Sequence, residues 1–97
     1  MNIFKIPKLG EEEYFEELKK FKNGRIERII SSNNTTDWLE QKEDEYVILI
    51  KGNAEIEYED IKIEMSSGDT LYIPRGQKHR VSYTDEECIW ICIFFDE

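Results

Sequence analysis

The stretch GDTLYIPRGQKH at residues 68–79 has the pattern G-x5-P-x-G-x2-H. Its first glycine allows a turn with positive φ, the next residues form a strand, and the proline and second glycine reverse the chain. His79 is therefore expected to open the following strand. On that strand, His79, Val81 and Tyr83 alternate onto one face.

A second stretch, EYVILIKG at residues 45–52, has the pattern E-x6-G, which indicates a strand entering a glycine turn. Alternation puts Glu45 and Val47 on one face. Gln41 lies four residues before Glu45, so a continuous or gently bulged strand directs both side chains the same way. We expect Glu45 and His79 to face a common interior pocket, with Val47, Val81 and Tyr83 among its lining residues.

Most of the remaining chain has strand periodicity. Seven segments alternate with period two or are continuously apolar, and turn-forming residues separate them. These segments are 26–30, 46–50, 54–58, 61–65, 70–73, 80–83 and 89–95. Many short strands at this spacing predict an all-β, antiparallel sandwich or barrel.

The N-terminal part has a different period. Between residues 11 and 21, apolar residues are spaced three and four apart, with acids early and lysines late, and Asn23-Gly24 follows. This predicts one short amphipathic α-helix. We therefore expect a single domain over residues 1–97, in which residues 1–24 form an N-terminal segment and helix and residues 25–97 form the barrel.

Composition narrows the classes of partner. The 97 residues contain 13 Lys and Arg against 22 Asp and Glu, a net charge of -9, which repels phosphate backbones and anionic lipids. No nucleic acid and no membrane partner is expected. Without an apolar run of about 20 residues or a secretory signal, the prediction is a cytoplasmic protein.

A short chain leaves apolar surface uncovered, which favours pairing. Residues 88–95 are apolar on both faces, so either the helix or a second subunit is expected to cover the outer one. We predict a homodimer. Cys88 and Cys92 lie on one face about 13 Å apart, too far for a disulfide between them, and are interpreted as buried thiols rather than a reactive or metal-binding pair.

Together the two stretches resemble the cupin family of small β-barrels. The second cupin motif is G-x5-P-x-G-x2-H-x3-N, and residues 68–79 match it through His79, with Tyr83 where the family usually has Asn. The first motif is G-x5-H-x-H-x3-4-E-x6-G, which this chain matches at Glu45 and Gly52. The resemblance implies a jelly-roll barrel of two facing sheets.

The resemblance also implies an interior site for a divalent metal such as Fe, Mn, Ni or Zn. In one register of the first motif, Leu39 and Gln41 stand at the two family histidines. In the other register, Trp38 and Glu40 do, so both histidines are missing either way. Carried over by position, the implied ligands are His79, Glu45 and the weaker donor Gln41.

Three interpretations of this site remain open from the sequence. The first is a weakly held metal at Gln41, Glu45 and His79; the second is a metal-free Glu45–His79 hydrogen-bonded pair that fixes the polarity of the pocket; the third is an acid/base pair. The functions considered are a metal-dependent enzyme or binder of a small molecule, a metal-free binding or sensory module, and, independently of this site, an assembly domain that pairs through residues 88–95. Residues 75–80 also contain a basic cluster, interpreted as solvated loop or as a group that attracts anions to the pocket.

Overall fold

The computed structural model describes residues 1–8 and 12–96, and its regular elements are all strands. They are β1 (Tyr14–Phe21), β2 (Gly24–Ser31), β3 (Asp44–Lys51), β4 (Asn53–Glu57), β5 (Lys62–Ser66), β6 (Thr70–Ile73), β7 (Arg80–Thr84) and β8 (Cys88–Phe95). Strands β2 to β8 correspond to the seven predicted segments. Within the described residues no helix is long and apolar enough to cross a membrane.

Two antiparallel sheets face each other and enclose the core. The larger sheet has the order β1-β2-β8-β3-β6 and the smaller has the order β5-β4-β7. The core forms where alternate residues of both sheets meet, with Leu49 and Trp90 from the larger sheet packed in one cluster with Ile56 and Met65 from the smaller. This arrangement confirms the predicted all-β jelly-roll architecture.

The predicted N-terminal helix is wrong. Residues 14–21 form β1, which pairs antiparallel with β2, and residue 11, where the helix was predicted to begin, lies outside the described residues. The Asn23-Gly24 pair closes a hairpin rather than a helix, since Phe21 pairs with Gly24. The helix-like spacing arises because β1 is an edge strand with a register shift between Glu17 and Lys19, which breaks the strict alternation of a strand.

The outer face of the larger sheet is apolar along β8. Ile89 is buried there, whereas Ile91 and Ile93 are partly exposed. No helix covers this face in the described part of the chain. Instead, the buried Arg28 donates hydrogen bonds to the carbonyls of Ile3 (3.3 Å) and Lys5 (2.6 Å), so the N-terminal segment lies along part of the sheet.

Candidate functional site

A cavity of about 250 Å³ lies between the two sheets. Its walls are mainly apolar, with Val47 and Val81 among them, as the alternation of β3 and β7 predicts. The apolar lining residues are Phe15, Ile29, Leu39, Val47, Ile56, Ile73, Val81, Trp90 and Phe94. Polar side chains from β2, β3 and the loops complete the lining, and three of them are the predicted Gln41, Glu45 and His79.

Turn geometry after β6 brings His79 to the cavity. Gly76 has a φ of 78°, a left-handed conformation that favours glycine, and its N–H donates to the Gln41 carbonyl at 2.9 Å. Leu39 and His79 then exchange two backbone hydrogen bonds, of 2.7 and 2.9 Å. The loop before β3 is thereby fixed to the turn before β7, so that Leu39, Gln41 and His79 line one cavity.

The orientation of the His79 ring exposes one nitrogen to the cavity. Nδ1 lies 2.8 Å from the carbonyl oxygen of Gln77. A carbonyl only accepts hydrogen bonds, so Nδ1 carries the proton and the neutral ring keeps a lone pair on Nε2. The side chain is only 5% exposed. His79 therefore presents a fixed hydrogen-bond acceptor, or a metal donor, at the buried end of the cavity.

Glu45 lies opposite this nitrogen. Its Oε1 is 3.9 Å from His79 Nε2, beyond hydrogen-bond range but close enough for one atom to bridge both groups. Burial raises the pKa of the Glu45 carboxyl, and hydrogen bonds from Cys92 and Gln41 oppose that rise. At 3.9 Å the two side chains form no direct hydrogen bond, which was one of the three interpretations open from the sequence.

Gln41 completes the polar end of the cavity, which consists of Gln41, Glu45 and His79. Its Oε1 is buried and has no hydrogen-bond partner among the described residues. The structure also distinguishes the two registers of the first motif, because Leu39 and Gln41 are among the residues that line the cavity whereas Trp38 and Glu40 are not. Three acceptor groups, on Gln41, Glu45 and His79, thus line the same cavity.

The sequence interpretation missed Cys92 as a neighbour of this end. Val47 pairs with Cys92 and Glu45 with Phe94 across β3 and β8, so the inward thiol lies diagonally from the carboxylate. Burial raises the pKa of Cys92 well above its ordinary value, and the nearby Glu45 raises it further. The thiol therefore stays protonated and donates a hydrogen bond to Glu45. Only the strand register, which the sequence did not supply, identifies this contact.

Three charged residues of the cavity lining were also missed. They are Glu13, Arg25 and Glu27. The Arg25 guanidinium binds Glu27 at 2.7 Å and Glu43 at 2.6 Å, and it lies 4.2 Å from the centre of the Phe94 ring. Its charge is therefore already neutralised by protein carboxylates. Alternation along β2 predicts that Arg25 and Glu27 share a face, but it does not say that the face is the inner one.

Tyr83, predicted as a lining residue, does not reach the cavity. Its side chain is 51% exposed and its hydroxyl donates to Asp85 Oδ1 at 2.7 Å. The cause is an irregularity in β7: Ile56 pairs with Val81 and Glu55 with Tyr83, which leaves Ser82 as an extra residue and reverses the alternation. Val81 therefore points inward and Tyr83 outward.

The basic cluster of Arg75, Lys78 and Arg80 also lies outside the cavity lining. Arg75 binds Asp44 at 3.1 Å and Asp96 at 3.4 Å, and Arg80 binds Glu57 at 2.5 Å. Lys78 lies over the Trp38 ring, 5.7 Å from its centre. These contacts hold the loop to the barrel and leave no support for attraction of anions into the cavity.

The donor set of the polar end is limited. Within residues 1–8 and 12–96, no three His, Cys, Asp or Glu side chains come together as metal ligands do. As metal ligands, His79 and Glu45 are strong and Gln41 is weak. Leu39, at the other histidine position of the first cupin motif, has no ligating atom in its side chain. Such a set fits a loosely held ion rather than a tight structural metal.

Comparison with known proteins places these features in a family context. Residues 33–94 match the profile of the family described as Cupin domain. A protein from Ralstonia eutropha, provisionally assigned as a mannose-6-phosphate isomerase, is 33% identical, with a TM-score of 0.93 over 100% of this chain and 97% of that one. No curated protein matches the sequence significantly.

Two more distant structures share the fold. A cupin superfamily protein from Desulfitobacterium hafniense is 17% identical, with a TM-score of 0.84 over 95% of this chain and 84% of that one. A polyketide cyclase from Streptomyces resistomycificus is 18% identical, with a TM-score of 0.76 over 90% of this chain and 67% of that one. At these identities the likeness concerns the fold alone.

Proposed function

The chain belongs to the cupin domain family, and we propose that it binds a small organic molecule in the interior cavity. The observation that carries the proposal is the combination of an apolar cavity of about 250 Å³ with three acceptor groups at its buried end. A dry apolar cavity of about 150 Å³ already accepts a benzene-sized molecule, so this one has room for a small ring with a polar substituent.

The acceptor groups support binding rather than a merely structural role. A buried acceptor without a partner costs about 1–3 kcal/mol, so structures retain one where something else satisfies it. Gln41 Oε1 is such an acceptor, and the Nε2 lone pair of His79 faces Glu45 across 3.9 Å without a hydrogen bond between them. A ligand with a donor group would bridge His79 and Glu45, a further donor would satisfy Gln41 Oε1, and the body of the ligand would pack against the apolar walls.

A divalent transition metal is the second candidate occupant of the same end. The Nδ1 hydrogen bond to Gln77 is the support that metal-binding histidines commonly have, and Gln41 Oε1 could accept an ion. His79, Glu45 and Gln41 would hold it, with affinity limited by the weak amide donor. A bound ion would supply Lewis acidity at this end of the cavity.

Trp90 provides the reporter for a binding experiment, since it lines the cavity. The chain has two tryptophans, so Trp38→Phe leaves Trp90 as the sole tryptophan, which excitation at 295 nm selects over tyrosine. We expect small aromatic molecules such as benzyl alcohol to change Trp90 emission saturably. Val81→Phe fills the cavity and should abolish the response, whereas Ile61→Phe, at an exposed position away from the lining, should leave it unchanged. An unaltered response in folded Val81→Phe would contradict the proposal.

The metal candidate is tested by calorimetric titration with Zn²⁺, Ni²⁺, Mn²⁺ and Fe²⁺ and by elemental analysis of protein purified without added metal. The expected result is weak binding that His79→Ala removes and His79→Gln does not restore. Stoichiometric metal that survives purification would show a tighter site than this donor set explains. Absence of binding even at millimolar metal would eliminate the metal and leave organic ligands as the occupants.

A further inference from the structure

We infer that the ligand carries a positively charged hydrogen-bond donor, such as a primary ammonium, on a small apolar body, and that phosphorylated sugars and other anions are excluded. The inference rests on the proposed binding function and adds the chemical class of the ligand. It follows from the direction of the hydrogen bonds at the buried end and from the charges that line the cavity.

Hydrogen-bond direction is the first step. Because Nδ1 donates to Gln77, a neutral His79 ring holds its lone pair on Nε2, and an ionised Glu45 carboxylate only accepts hydrogen bonds. The donors that approach Glu45 are the protein's own Cys92 thiol and Gln41 amide, which leaves Gln41 Oε1 as a third acceptor. An occupant that meets three acceptors must be rich in donors, and an ammonium group has three N–H bonds.

The distance between His79 Nε2 and Glu45 Oε1 allows one donor group to contact both atoms. A nitrogen placed about 2.9 Å from both His79 Nε2 and Glu45 Oε1 bridges their 3.9 Å separation. A carboxylate or phosphate oxygen at the same point would face two acceptors and a like charge. An anionic head group is therefore repelled by the groups that attract an ammonium.

The charge of the lining is the second, independent step. Among the described lining residues, the carboxylates are Glu13, Glu27 and Glu45, and the guanidinium of Arg25 is the one fixed cation. That guanidinium already binds Glu27 and Glu43, so it offers an incoming phosphate no unpaired charge. The cavity is therefore net negative, which favours cationic molecules over anionic ones.

The apolar walls of the cavity indicate that the rest of the ligand is a hydrocarbon body. Trp90, Phe94, Ile56 and Val81 line the same cavity, and they offer burial to a hydrocarbon body but no partner to sugar hydroxyls. A sugar phosphate would lose hydration from both its ring and its phosphate. An aryl or alkyl amine buries its hydrocarbon body against the apolar walls and pairs its ammonium group with the acceptors.

The test uses three probes of one shape and a sugar phosphate. Benzylamine, benzyl alcohol, benzoate and mannose 6-phosphate are titrated into the Trp38→Phe protein, with Trp90 emission and calorimetry as readouts. We expect benzylamine to bind about tenfold more tightly than benzyl alcohol, as a charge-assisted hydrogen bond predicts, with no measurable binding of the two anions. Glu45→Gln should remove the preference for the amine while benzyl alcohol still binds, and the exposed Glu64→Gln should leave the preference intact.

Each other outcome contradicts the inferred ligand charge, the proposed binding function or the role of Glu45. Equal binding of the alcohol and the amine, or tighter binding of benzoate or mannose 6-phosphate, contradicts the charge class while the cavity remains the binding site. Failure of all four probes in folded protein contradicts the proposed function itself. Retention of the amine preference in Glu45→Gln, with the fold intact by circular dichroism, contradicts the role given to the carboxylate.

Discussion

Leu39 and His79 exchange two backbone hydrogen bonds, of 2.7 and 2.9 Å, so an aliphatic side chain lies beside the only imidazole of the chain. In the register that the structure supports, Leu39 stands where the resemblance to cupins places a metal-binding histidine. Gln41 stands at the other histidine position and lines the same cavity. Both positions thus line the cavity, but neither supplies an imidazole.

Restoring those donors should restore tight metal binding. The double substitution Leu39→His/Gln41→His adds two imidazoles to His79 and Glu45, and we expect Zn²⁺ or Ni²⁺ affinity to rise by about 100-fold or more, measured by calorimetry. The matched control is Trp38→His/Glu40→His, which adds the same two residues at positions of the same segment that do not line the cavity. An equal gain in the control would show that the register assignment is wrong.

Removal of the Glu45 charge should weaken amine binding without destabilising the fold. The side chain is buried and its pKa is raised chiefly by desolvation, so the ionised form costs stability in the folded state. At pH 8 we expect Glu45→Gln to unfold thermally at a midpoint equal to or above that of the wild type. A lower midpoint would indicate that the carboxylate stabilises the barrel rather than serving a ligand.

Tyr83 should be dispensable for binding but not for stability. Its hydroxyl and the backbone and side-chain N–H groups of Asn53 donate to Asp85, which lowers the pKa of Asp85 below its ordinary 3.8. Because the folded pKa is depressed, this contribution is complete above the unfolded value and disappears as pH falls through the folded one. We expect Tyr83→Phe to leave benzylamine affinity unchanged.

The same linkage predicts the pH dependence of Asp85→Asn. The variant should have a lower thermal midpoint than the wild type at pH 7, and the difference should shrink as the pH is lowered below about 4. A difference that stays constant from pH 7 to 3 would mean that the charge of Asp85 plays no part. Thermal unfolding followed by circular dichroism across this range provides the measurement.

Neutralising the partners of Arg25 should make the cavity accept anions. Glu27→Gln/Glu43→Gln removes both carboxylates that bind the guanidinium. We expect benzoate, which the wild type excludes, to bind measurably, and benzylamine to bind more weakly. The exposed pair Glu64→Gln/Glu86→Gln makes the same change in net charge and should change neither affinity. Persistent exclusion of benzoate would show that Arg25 does not control charge selectivity.

Pairing of two copies stays a prediction. The partly exposed Ile91 and Ile93 lie on the outer face of the larger sheet, where the N-terminal segment covers only part of the surface. Sedimentation equilibrium at micromolar concentration should give the mass of a dimer, and Ile91→Lys should shift it toward the 11.6 kDa monomer. A wild-type monomer at that concentration would contradict the prediction.

Sequence patterns predicted the strands from residue 26 onward because period-two alternation and glycine turns are local signals. The approach of Glu45 to His79 was also predictable, since both motifs fix where a strand begins. Features that depend on pairing were not: the bulge beside Ser82 turned Tyr83 outward, and the edge position of β1 made a strand resemble a helix. The neutralised state of Arg25 likewise depends on Glu43, which lies 18 residues away in the chain.

The most direct test of the central claim is a ¹⁵N NMR spectrum of the imidazole, since His79 is the only histidine and its two ring nitrogens give unambiguous signals. In the neutral ring we predict a protonated Nδ1 and an unprotonated Nε2, with the Nε2 resonance moving as benzylamine saturates the cavity. A neutral ring protonated at Nε2, or an Nε2 resonance that does not respond to saturating benzylamine, would contradict the assignment of this cavity as the binding site.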